Sequence, residues 1–193
     1  MIEIIPNWHP VFVHFTIALF SAACGLHLLA YFSRYLRIVP LRIVSEFEIA
    51  GRWCLWLVAL ITIGTVLAGL YAFNTVKHDE AAHIVMTIHR NFALTTAAGI
   101  LLLAIWSGWR YYKNKGLSIL FIIGLLIVQA LLLTTGWLGA ELVYRHGLGV
   151  ISLPSAEGEA GHHHHHDEGM MANPMNHSGM PSMEHFNQHT HTD

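Results

Sequence analysis

Sixteen histidines fall into two groups along this chain of 193 residues. Seven of them, His9, His14, His27, His78, His83, His89 and His146, are spread through an apolar region, and nine crowd toward the carboxyl end. A neutral imidazole offers a lone pair to a metal ion or to a haem iron. His9 and His14 stand at the head of the first apolar run, in "HPVFVHF"; His89 opens the third, in "IHRNFAL"; and His146 follows Arg145 at the end of the fourth. Separate segments can therefore bring imidazoles to one layer, where haem b, or another metal such as copper or iron, would find nitrogen ligands. The competing reading is a set of interfacial, water-exposed histidines above closely packed helices.

On a helix, the positions below His14 on its own face are Ala18, Ser21, Ala22 and Gly25, and those below His89 are Ala93, Thr96 and Ala97. Two such stripes of small residues could flank a slot for a flat macrocycle with His14 and His89 as axial ligands, or could simply let membrane helices pack closely. His9 precedes Pro10 and is expected outside the helix as a cap. His27 is thirteen residues beyond His14, which turns it off that face and makes it a single polar residue near the other interface. The loop-like array His78, Asp79, Glu80 and His83 offers further nitrogen and oxygen ligands. Glu141 and Arg145 are spaced for a helical ion pair, and Gln129, mid-span, for a hydrogen bond within a bundle.

Four helices must position these residues. The chain is 54% hydrophobic and 11% charged, against about 25% charge in a typical soluble domain. Four apolar stretches, near 10–32, 53–73, 91–109 and 117–144, each approach the roughly 20 residues needed to cross a bilayer. The fold class is all-α, an integral membrane up-and-down four-helix bundle over 1–151, followed by a disordered tail over 152–193. Pro10 suits a first helical position, and Gly147 a helix stop. The segment "PLRIVSEFEIAGR" between the first two spans reads as an interfacial helix or as a loop. Cys24 and Cys54 read as packed thiols, and "MIEIIPNW" lacks the features of a cleaved signal peptide.

Arg34, Arg37, Arg42, Arg52, Arg110, Lys113 and Lys115 are seven of the ten basic residues, and they cluster around the first and third connections. Those connections are expected in the cytoplasm, with both termini and the histidine layer on the opposite side of a bacterial inner membrane. Trp8 and Trp137 fall at the outer level and Trp53, Trp56, Trp106 and Trp109 at the inner one, as aromatic belts require.

The tail changes character completely. His162, His163, His164, His165, His166, Met170, Met171, Met175, His177, Met180, Met183, His185, His189 and His191 occur in a polar, low-complexity segment that cannot bury a core. A purification tag would explain five consecutive histidines, but this run is internal and continues into histidines interleaved with methionines. Thioether suits Cu(I), and imidazole suits Cu(II) and other late metals, so the mixture can hold copper in either state. The stretch "MNHSGMPSMEH" resembles the Met and His repeats of periplasmic copper-resistance proteins.

"HPVFVHFTIAL", "IHRNFAL" and "GWLGAELVYRHGLGV" together resemble a family of bacterial four-span membrane proteins known only as a domain of unknown function, over roughly residues 6–151. The resemblance marks His9, His14, His89, Glu141, Arg145 and His146 as signature positions and implies a four-helix layout similar to b-type cytochromes. Two functions fit. One is periplasm-facing copper handling, with tail and histidine layer both binding metal; the other is a b-type haem protein passing electrons between quinone and an external partner. Expected partners are membrane lipid, metal ions, periplasmic copper or redox proteins and further copies of the chain. No nucleophile with its base, phosphate loop or nucleic-acid-binding surface is visible, and an enzymatic role would be that of an oxidoreductase component.

Overall fold

The computed structural model describes residues 8–37, 39–76 and 80–150. Four helices follow in chain order: α1 (His9–Leu36), α2 (Leu41–Thr75), α3 (Glu80–Tyr112) and α4 (Ile119–Tyr144). All four are long and apolar enough to cross a membrane, with no strand among the described residues. Their antiparallel course shows in the pairs that meet: His9 of α1 reaches Thr65 late in α2, whereas His27 lies against Gly51 early in α2. The ring closes through α2 on α3, α3 on α4, and α1 on α4.

Phe20, Leu55, Val58, Ile100, Phe121 and Leu125 are the fully enclosed core. The opposite faces of the helices present Leu60, Leu67, Leu102, Ile105 and Leu133, each well exposed. Exposed apolar residues along every helix suit hydrocarbon, where the intrahelical hydrogen bonds satisfy each backbone group.

The largest departure from the sequence reading is at α2. "LRIVSEFEIAGR" is neither a separate interfacial helix nor a loop but the first three turns of a continuous 35-residue helix. Pro40 starts it and no proline follows, so nothing breaks the hydrogen-bond ladder. Val44 is completely buried, and Glu48 pairs with Arg34 at 3.1 Å, which anchors the extension on the end of α1. α3 also begins earlier than expected, taking in Glu80 and His83 as its first turn. α4 stops where glycine was expected to stop it: Gly147 adopts φ 62°, and its N–H donates to the Val143 carbonyl at 3.0 Å.

Candidate functional site

His9 and His89 meet at the end of the bundle that carries the α2–α3 connection. Their ring centroids are 6.4 Å apart with planes at 82°. Each is held by a neighbouring helix in the same way. His9 Nδ1 donates to the carbonyl oxygen of Thr65 at 3.0 Å, and His89 Nδ1 donates to that of Thr135 at 3.1 Å. A carbonyl can only accept, so Nδ1 bears the proton, and in a neutral ring Nε2 then bears the lone pair. A backbone carbonyl fixing a tautomer is the arrangement that usually stands behind a metal-ligating imidazole.

A helix carbonyl is normally screened by the side chain one turn later. Here that residue is glycine in both halves. A Cβ at Gly69 would lie 2.9 Å from His9 Cε1 and 3.0 Å from its Nδ1, and one at Gly139 would lie 3.2 Å from His89 Cε1. Below the imidazoles, the hydroxyls of Thr16 and Thr65 meet at 2.8 Å, and those of Thr96 and Thr135 at 3.0 Å. All four also donate back to the carbonyl four residues earlier. A hydroxyl has one hydrogen, so one member of each pair shares it between two acceptors.

These parallels expose an internal repeat. His9 and Thr16 of α1 recur as His89 and Thr96 of α3, and Thr65 and Gly69 of α2 recur as Thr135 and Gly139 of α4. The match extends into the core, where Phe20 corresponds to Ile100, Leu55 to Leu125, Val58 to Val128 and Thr62 to Leu132, all buried. Thr16, Thr65, Thr135, Gly69 and Gly139 surround the pair and do not stand out in the sequence one at a time. The signal was present as "HPVFVHFT" against "HRNFALTT" and "TVLAG" against "TGWLG".

The histidine brought to His89 is His9, not His14. Helix α1 begins at His9 itself, with Trp8 as its cap, so His9 is the first helical residue rather than a residue outside the helix. His14, five residues on, is rotated about 140° away. It is exposed and donates to the Pro10 carbonyl of its own helix. Ala18 and Ala22 below it are exposed too, while Ser21 and Gly25 are half-buried; under His89, Thr96 and Ala97 are buried.

His146 is partly buried just past α4. Glu141 and Arg145 form their ion pair at 2.8 Å, and Gln129 donates to Ser21 Oγ at 3.1 Å. Glu80 and His83 are exposed in the first turn of α3, where His83 packs against Phe73. His78, Asp79 and the tail ligands from His162 to His191 lie outside the described residues. Among the described residues no group of three or more His, Cys, Asp or Glu side chains gathers as a metal site. The layer thus supplies two neighbouring imidazoles.

No curated protein and no solved structure is significantly similar to this chain. Residues 6–152, which hold all four helices and both halves of the histidine pair, match the predicted membrane protein family DUF2231, and the chain belongs to that family.

Proposed function

We propose that this protein handles copper at the outward face of a bacterial cytoplasmic membrane, with the His9 and His89 pair as a metal site and the tail as a collector of ions. The observation that supports this most is the pair itself: two imidazoles from different halves of the bundle, each with Nδ1 held by a helix carbonyl, 6.4 Å apart. At about 2.0–2.1 Å per metal–nitrogen bond, two imidazoles sharing one ion place their centroids up to roughly 6.5 Å apart. Copper accepts such nitrogen ligands, and Met170, Met171, Met175, Met180 and Met183 among the tail histidines add the thioethers that Cu(I) prefers. Seven of ten basic residues at the opposite end favour the orientation with pair and tail both outside the cytoplasm.

The test is a Cu(I) titration against a chromophoric chelator on the full chain, on the chain lacking residues 162–191, and on His9→Ala and His89→Ala. Deletion should remove most of the bound copper, and either alanine should remove one further equivalent. Unchanged stoichiometry in all three variants would defeat the reading. The 6.4 Å separation also suits the two axial positions of a haem iron. A sharp reduced-minus-oxidised band in native membranes, lost in His89→Ala, would instead make the protein a b-type cytochrome serving quinone and an external partner.

A further inference from the structure

At the other end of the bundle, a cleft of about 250 Å³ opens between α1, the first turns of α2, the end of α3 and the start of α4. His27, Glu48, Arg52, Ser107, Arg110 and Lys115 line it. Its charge is unbalanced. Arg52, Arg110 and Lys115 line it together with one carboxylate, Glu48, which Arg34 approaches at 3.1 Å.

Along the cleft, two buried donors without an acceptor stand against one buried acceptor without a donor, since Glu48 Oε1, although 3.1 Å from Arg34 Nη2, makes no hydrogen bond. Arg110 is only 8% exposed; its Nη1 donates to Ser118 Oγ at 2.7 Å, but its Nη2 is buried with no acceptor. Arg52 Nε is likewise buried without an acceptor, while its guanidinium is held over the Tyr111 ring at 4.2 Å. A buried guanidinium in this state asks for an oxygen acceptor, and its planar fork matches the oxygens of a phosphate. Ser118 caps α4, so the amide end of a 26-residue helix adds positive potential beside Arg110.

From these observations we infer that the cleft is a phosphate-binding site, with Arg110 and Arg52 as the ligands and Lys115 at its mouth. The phosphate could come from a lipid headgroup or from solution, because the cleft lies at the end of the spans where the basic residues cluster. Neither source depends on the copper reading of the opposite end.

The experiment uses the full chain in dodecyl maltoside, a phosphate-free environment, at constant ionic strength. Inorganic phosphate and solubilised phosphatidylglycerol are titrated separately while thermal unfolding is followed by tryptophan fluorescence. A rise of several degrees with phosphatidylglycerol alone identifies a lipid site, and a rise with inorganic phosphate identifies a soluble ligand. The apparent Kd should weaken at least tenfold in Arg110→Gln and Arg52→Gln and remain unchanged in Arg42→Gln, whose side chain is 89% exposed. Lys115 is exposed, with its Nζ over the half-exposed Trp109 ring at 4.6 Å, so Lys115→Ala leaves the enclosed core in place and should weaken binding about threefold, which preserves the test if the arginine variants fail to fold. No shift with either ligand, or equal shifts in wild type and Lys115→Ala, would overturn the assignment.

Discussion

Replacing Gly69 with alanine is the sharpest perturbation of the histidine pair. The new Cβ would sit 2.9 Å from His9 Cε1 and 3.0 Å from Nδ1, well inside the 3.5–4.0 Å at which carbon atoms pack. The imidazole must retreat by more than half an ångström, which breaks its hydrogen bond to Thr65. Overpacking costs roughly 1–3 kcal/mol and a stranded Nδ1–H roughly 1–3 kcal/mol, against about 1 kcal/mol gained in helix propensity, so the net loss is roughly 1–5 kcal/mol. Gly108→Ala and Gly25→Ala are the controls: apart from the helix's own backbone nothing lies within 4 Å of either new methyl, so both should gain up to about 1 kcal/mol. Unfolding in detergent measures all three, and the same series in a His9→Ala background completes a double-mutant cycle. There the penalty of Gly69→Ala should vanish. A Gly69→Ala protein as stable as Gly108→Ala, or a penalty that persists without His9, would refute the reasoning.

Other outcomes follow from the same packing. Gly51→Ala places a methyl 2.7 Å from Nδ1 of His27, which is 2% exposed and tied to the Ala23 carbonyl, so it should unfold at lower temperature than wild type. Arg145→Ala breaks an ion pair whose arginine is 73% exposed, and the stability change should stay within about 1 kcal/mol. Gln129→Leu loses the bond to Ser21 but also removes a buried Oε1 that has no partner, so the two effects should cancel to within about 1 kcal/mol in the same unfolding assay.

The four spans were readable because length and apolar content decide them. The N-terminal extension of α2 was not, since Arg42, Glu46 and Glu48 look like loop residues until Val44 is seen buried and Glu48 is seen against Arg34. A single-residue question decided the site. Pro10 suits either the first or the second helical position, and helix entry at His9 swings that ring inward while leaving His14 outside. Thr65, Thr135, Gly69 and Gly139 carry no chemical signature alone; comparing the two halves of the sequence would have singled them out. The cleft at Arg52 and Arg110 needed the fold, because residues from four helices and the α3–α4 connection form it.

X-ray absorption on copper-loaded protein ended after residue 152 bears most directly on whether the paired histidines form a metal site. At one equivalent of copper, the spectrum should report two imidazole nitrogens at about 2.0 Å, falling to one or none in His89→Ala with a matching loss of affinity. An identical spectrum and affinity in wild type, His9→Ala and His89→Ala would contradict it.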